Sequence, residues 1–377
     1  MSLTLTLASR NLFHDRLRFV ATLIGIVFSV VLVMIQMGLF LGFGRMVTTM
    51  IDHAPADLWI LPKGAKCFED PSLIDVKVRD RVASLEGINS AVPLVIGFSD
   101  WRMERGEVTP VFIVGADQRD SGLQPWNIVE GNAQTLQQGG NVAVDRSYFE
   151  RLGVSGVGST AEVRGRKVRV TAVTDGIRSF ATTPYVFVDM KNARNYTGTP
   201  RDRASSILVQ LKSDADPEKA LSAVRAEVGD AEVLTADEFR KRSRSFWLFG
   251  TGAGAALFAG ALLGVIVGTV IVAQTLYSST KDHLTEFATL RAMGSSNAYI
   301  YSVIIYQALL NAVIGFCIAA GIGSIVVQMT AKSALPIVIT PWLMAALFVL
   351  TVVMCVASGI GAIIRVVRID PATVFMR

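Results

Sequence analysis

Residues Ser279 to Gly294 have types and spacing suited to recognition chemistry. Ser279 and Asp282 fit a capping box, with Asp in place of the usual Glu. Asp282 and Glu286 come early, Arg291 falls in the last turn, and Gly294 suits the left-handed residue that closes a helix. Leu284, Phe287 and Leu290 share one face. The pattern predicts a short helix with an apolar patch and charged edges, shaped to dock into a partner's groove. A helix lying flat on lipid is the alternative, and its mixed rather than Lys/Arg-rich polar face speaks against it.

A second concentration of charge is Arg240, Lys241, Arg242 and Arg244, directly ahead of a long uncharged run. Such cations can reach the phosphates of lipid headgroups or meet an anionic amphiphile. A solvated face of a stalk is the competing reading.

Covalent, metal and nucleotide chemistry find no support. There is no G-x-x-x-x-G-K-[ST] phosphate loop. The glycines of Gly153–Gly158 lack a following Lys-Ser/Thr and read as tight turns. His14, His53 and His283 are too far apart in sequence to suggest a metal site. No Ser/His/Asp or Cys/His set stands out. The net charge of +5 comes without any nucleic-acid-reading motif, so no nucleic-acid partner is expected.

The elements that must position these residues are mostly membrane helices. The 377 residues are 51% hydrophobic and 18% charged, against about 25% charged in soluble domains. The excess sits in four uncharged runs. A helix over Phe19–Phe40 is about 33 Å long, enough for a bilayer core of ~30 Å. Spans are expected at 19–43, 249–277, 299–328 and 341–364. Around them lie a basic amphipathic N-terminal helix at 1–18, a loop at 278–298, a short loop at 329–340 and a tail at 365–377. Arg10, Arg16 and Arg18 at one end, with Arg365, Arg368 and Arg377 at the other, favour cytoplasmic termini. Residues 44–248 then lie outside, although the basic cluster before the second span runs against the charge rule.

The external segment reads as an α/β domain. β-rich runs fall at Asp57–Leu61, Ala91–Phe98, Pro110–Gly115, Asn141–Val144, Lys167–Val173, Tyr185–Val188 and Ile207–Leu211. Helical patterns fall near Asp75–Leu85 and Pro217–Val228. Strand 205–211, helix 217–228 and strand 231–234 form a βαβ-like unit, and Asn141–Val173 reads as a second, β-rich lobe. Cys67 is the one cysteine outside the apolar runs, so no disulfide framework is expected there, and it is the natural handle for an impermeant thiol reagent.

In the second span Gly252, Ala256, Gly260, Gly264 and Gly268 recur every fourth residue, and Gly315, Ala319 and Gly323 repeat the spacing in the third. Such stripes let helix backbones approach closely. They serve packing within the chain's own bundle or, for the second span, a seam between two copies.

Thr285-Glu286-Phe287-Ala288-Thr289-Leu290-Arg291-Ala292-Met293-Gly294 resembles the E-[IF]-x-x-L-[RK]-A-[ILM]-G signature between the second and third spans of MacB/FtsX-type permeases. Arg368-Ile369-Asp370-Pro371-Ala372 is similar to that family's terminal R-x-[DN]-P-[AV] element, and Ala8-Ser9-Arg10-Asn11-Leu12 to its start. Val31–Gly38 and Asp57-Leu58-Trp59-Ile60 look closest to the DevC-like branch.

The resemblance implies a permease with four transmembrane α-helices and a large extracytoplasmic, MacB-like α/β domain between helices 1 and 2. It implies a bacterial inner-membrane location and a homodimer. An ABC ATPase subunit would bind and hydrolyse ATP with Mg, while this chain binds no cofactor or metal and is not an enzyme. Leu284, Thr285, Glu286, Phe287, Leu290, Arg291 and Gly294 would form the coupling helix of a mechanotransmission exporter. The DevC-like likeness adds a membrane-fusion adaptor and an outer-membrane channel. Expected substrates are amphiphilic, lipid-linked or lipoprotein molecules moved outward. The alternative is an FtsX-like signal relay controlling extracytoplasmic partners; an external part of about 200 residues in two lobes favours export. With no ionisable residue inside the spans, power from ATP fits better than a proton pathway.

Overall fold

The computed structural model describes residues 16–117, 122–179, 183–282, 297–330 and 337–367. The chain divides into a helical unit and an inserted α/β unit.

Among the described residues, the helical unit holds four helices long and apolar enough to cross a membrane. They are α1 (Arg16–Met46), α6 (Ala253–Asp282), α7 (Asn297–Thr330) and α8 (Pro341–Val367). Helix α1 therefore begins inside the expected N-terminal segment; residues before 16 lie outside the described part. The second span starts at Ala253, four residues later than expected. The chain makes a π-helical turn over Phe246–Gly250, and Gly252 then takes φ +77°. Such a left-handed residue interrupts an α-helix, and glycine adopts it without Cβ strain.

Small residues decide what touches α1. A β-carbon placed on Gly268 would lie 2.0 Å from Ser29 Oγ, one on Gly264 2.9 Å from Val33 Cγ2, and one on Gly260 2.7 Å from Gln36 Nε2. As the α1 number rises the α6 number falls, so the two run antiparallel. A β-carbon on Gly315 would lie 2.6 Å from Ile26 Cγ2, and one on Gly323 2.1 Å from Met34 Sδ; α7 thus runs parallel to α1. Phe316 of α7 meets Phe348 of α8 with ring centroids 5.1 Å apart.

Among the described residues, the inserted unit is organised by a ten-stranded sheet. Its strands are β1 (Leu58–Pro62), β3 (Ile88–Arg102), β4 (Val108–Ala116), β5 (Ile128–Gly131), β6 (Asn141–Asp145), β7 (Thr160–Val163), β8 (Arg166–Thr174), β9 (Tyr185–Asp189), β11 (Ser206–Leu211) and β12 (Ala231–Thr235). The short β2 (Ile74–Asp75) and β10 (Arg203–Ala204) pair separately. The longer helices are α2 (Lys77–Ala83), α3 (Met190–Thr197), α4 (Pro217–Glu227) and α5 (Ala236–Ser245).

Strand β3 is shared by two lobes. Its first half pairs with β11, which pairs with β1, which pairs with β12. Strands β11 and β12 both run antiparallel to β1, so the expected βαβ-like unit is split, with β1 lying between its strands. Leu58 and Ile60 face α2 and α4, while Trp59 and Leu61 face the opposite core. Burial on both faces explains why β1 reads as an uninterrupted apolar run.

The second half of β3 pairs with β4, and β4 with β9, β9 with β6, β6 with β8 and β8 with β7. Strand β7 returns to β3 at Trp101 and Arg102, closing a six-stranded barrel. Closure removes the open strand edges of those six strands. Val95, Val111, Ile113, Val142, Val144, Val163, Val170, Val186 and Trp101 form part of its core. The β-rich lobe expected at Asn141–Val173 is thus larger than that segment: it takes half of β3 and all of β4 and β9, and it is continuous with the rest of the sheet.

Candidate functional site

The basic cluster sits on α5, whose start is set by a capping box: Thr235 accepts from Glu238 N, and Glu238 accepts from Thr235 N at 2.8 Å. Phe239, 1% exposed, anchors the helix against Trp59 with ring centroids 5.0 Å apart. The four cations then divide. Arg240 donates to Asp52 and Asp237. Arg242 grips Glu232 with two bonds of 2.7 and 2.6 Å and reaches the Ala65 carbonyl at 3.4 Å. That hydrogen bond and charge hold the Glu232 carboxyl below its ordinary range. Arg244 is exposed and donates through Nε to the Gly44 carbonyl at 3.1 Å, while Lys241 is exposed. The cluster expected to act as one patch on headgroups is therefore half neutralised, leaving Lys241 and Arg244 as its outward charges.

Beyond α5, the π-helical turn carries an aromatic cluster. Trp247 Nε1 donates to Glu69 Oε2 at 3.1 Å, and Tyr185 Oη on β9 donates to Glu69 Oε1 at 2.8 Å. Burial pushes the Glu69 carboxyl up from the usual range, and the bonds from Tyr185 and Trp247 pull it part of the way back. Burial, reinforced by the Glu69 charge, pushes the Cys67 thiol up to about 12. Tyr185 is raised too, first by burial and then by Glu69. Glu69, Tyr185 and Trp247 carried no signal in the sequence. Glu69 reads as an ordinary loop acid, and its partners lie 116 and 178 residues away.

The stripe Gly252, Ala256, Gly260, Gly264, Gly268 does not act as one surface. Gly252 precedes the helix, Ala256 is exposed, and Gly260, Gly264 and Gly268 pack against α1 within the chain. Leu284, Thr285, Glu286, Phe287, Leu290, Arg291 and Gly294 lie outside the described residues, as do His14 and His283. His53 stacks on Trp126 with centroids 3.9 Å apart. Gly153, Gly156 and Gly158 all have positive φ, as tight turns require. Among the described residues no three His, Cys, Asp or Glu side chains group as a metal site. An open cleft of about 750 Å³ is lined by Asp117, Asp189, Lys191, Arg194 and Arg201 among others, and Arg194 is already spent on the Pro200 and Arg203 carbonyls.

The MacB-like periplasmic core domain family matches residues 19–227, and the FtsX-like permease C-terminal family matches residues 255–371. Uncharacterised ABC transporter permeases of two Mycobacterium tuberculosis strains, CDC 1551 / Oshkosh and H37Rv, are each 26% identical over 381 residues, covering 98% of this chain and 98% of theirs. Among solved structures, the periplasmic region of MacB from Actinobacillus actinomycetemcomitans is similar at TM-score 0.39 and 14% identity, over 51% of this chain and 94% of its own. The extracellular domain of the ABC-type transporter YknZ from Gram-positive bacteria is similar at TM-score 0.35 and 14% identity, over 48% of this chain and 99% of its own. With the core-domain family spanning more than half of its length and the permease family most of the remainder, the chain belongs to the MacB/FtsX-type ABC transporter permeases, multi-pass membrane proteins that work with an ATPase.

Proposed function

We propose that this chain is the transmembrane subunit of an exporter driven by a separate ATPase subunit through mechanotransmission. The observation that carries the reading is the plan of the chain: a large α/β unit inserted between the first and second of four apolar helices, joined to the second by a capped, basic helix and an aromatic turn. The segment holding Leu284, Thr285, Glu286, Phe287, Leu290, Arg291 and Gly294 receives the ATPase's movement, and the spans deliver it to the inserted domain outside the membrane. Nucleotide chemistry falls to the ATPase with its ATP and Mg. A protein driven in this way responds only through contacts whose free energy differs between ATP states.

In this reading two copies pair, on faces other than the one α1 covers. A membrane-fusion adaptor and an outer-membrane channel extend the route, as the DevC-like features suggest. Both termini are cytoplasmic in the inner membrane. Lys241 and Arg244 meet lipid headgroups or an anionic amphiphilic cargo of lipid-linked or lipoprotein type. The test is affinity purification of the tagged chain from detergent-solubilised membranes, followed by ATPase assay in lipid nanodiscs. A co-purifying ATPase whose hydrolysis depends on this chain is the expected result. A chain recovered at full yield with no ATPase would overturn the proposal.

A further inference from the structure

Glu69 lies on the loop after β1, and its two carboxylate oxygens serve two different parts of the inserted unit. Oε1 is held by Tyr185 Oη at 2.8 Å, and the Tyr185 ring packs edge-on against Phe112 of β4 with centroids 5.6 Å apart. Oε2 is held by Trp247 Nε1 at 3.1 Å, and Trp247 packs against Phe246 with centroids 5.2 Å apart. Tyr185 and Phe112 belong to the barrel wall, whereas Trp247 belongs to the turn that leads into the second span. Five residues after Trp247 comes Gly252 at φ +77°, with nothing within 4 Å of the place a β-carbon would occupy. The turn is therefore fastened on its barrel side, and past it Gly252 takes a left-handed conformation in open space. A carboxyl group suits the fastening because its two oxygens can accept from two donors at once.

We propose that Glu69 is the positioning residue that clamps the Trp247 turn to the barrel, so that movement of the second span about Gly252 reaches β9 instead of being lost in the loop. This rests on the mechanotransmission reading, but the clamp itself can be tested without it. The full chain is labelled with 5-fluorotryptophan, placed in lipid nanodiscs, and read by fluorine NMR, with the Trp247 resonance assigned through Trp247→Phe. Glu69→Ala should move the Trp247 resonance while leaving that of Trp101, inside the barrel, in place. Glu69→Gln, which keeps an acceptor oxygen for the indole, should hold the Trp247 resonance near its wild-type position. Tyr185→Phe removes the other arm while preserving the ring, and should broaden or shift the same resonance if Glu69→Ala does not fold. With the co-purified ATPase, Glu69→Ala should lower stimulated hydrolysis about tenfold at unchanged association, and Glu69→Gln should restore most of it.

An unmoved Trp247 resonance in both Glu69→Ala and Tyr185→Phe would overturn the clamp. A moved resonance with full ATPase stimulation would overturn its role in transmission. A wild-type chain that recruits no ATPase would instead defeat the export reading, and the fluorine spectra would still decide whether the clamp exists.

Discussion

Ser29 Oγ in the first span donates a 2.7 Å hydrogen bond to the backbone carbonyl of Gly264 in the second. The contact is possible because Gly264 and Gly268 have no side chain to hold the helices apart. Small residues and interhelical hydrogen bonds are the two devices that hold helices together where lipid removes the hydrophobic drive.

Gly268→Leu should therefore break this seam. Its side chain would occupy the space of Ser29 Oγ, 2.0 Å from the glycine's notional β-carbon. Overpacking of this kind costs about 1–3 kcal/mol. Ser29→Ala should cost less, ~0.6 kcal/mol for one interhelical bond. Titrating the purified chain from mild detergent into denaturing detergent, with helicity as readout, should rank wild type above Ser29→Ala and Ser29→Ala above Gly268→Leu.

Phe287→Ala should weaken recruitment of the ATPase, since losing a buried aromatic anchor commonly costs ~2 kcal/mol or more at an interface. Glu286→Ala and Arg291→Ala should leave the complex assembled but poorly coupled, because rim charges act on register more than on affinity. Gly294→Val should also impair coupling by opposing a left-handed cap. Co-purification read beside stimulated ATP hydrolysis separates these outcomes. Full binding and stimulation in both Phe287→Ala and Gly294→Val would rule out a coupling helix at this loop.

Cys67 should resist an impermeant maleimide in folded membranes whichever side it faces. It is 6% exposed and its thiol is pushed up to about 12, so little thiolate forms at neutral pH. Val129→Cys on β5, where the native side chain is 48% exposed, should label readily in intact spheroplasts. Labelling of that variant only after the inner membrane is opened would invert the expected topology.

Glu69 should give the inserted domain a pH dependence of unusual sign. Its carboxyl is raised by burial, so the folded chain keeps a proton that the unfolded chain has released. That contribution to stability is full below the ordinary carboxyl range and is lost as pH rises through the raised value. Cys67, near 12, does not titrate in this window. Burial alone would raise Asp70, but hydrogen bonds from Ser72 and Lys66 bring it below its usual value, so Asp70 is already ionised. Glu232, lowered by Arg242, contributes in the opposite sense and only at lower pH. Calorimetry of the full chain from about pH 4 to about pH 8 should show a midpoint that Glu69→Gln makes less sensitive to pH above the ordinary carboxyl range. A variant as pH-sensitive there as wild type would remove Glu69 as the cause.

The existence of four membrane-length helices was legible in the sequence, because an uncharged run excludes itself from water whatever surrounds it. The β-branched runs that became β1, β4, β6, β8, β9 and β11 were legible for a similar local reason. Tertiary structure alone decided what those elements meet. The spacing of Gly260, Gly264 and Gly268 announced a close approach but could not say that α1, rather than a second copy, would fill it. Four neighbouring cations looked equivalent until Asp52, Asp237 and Glu232 neutralised two of them. The return of β7 to Trp101 and Arg102 turned a sheet into a barrel, and Glu69 acquired its partners from segments 116 and 178 residues away. Periodicity and composition act over a few neighbouring residues, so they set which way a side chain faces; the group waiting on that side is brought there by chain closure over distances that no local pattern encodes.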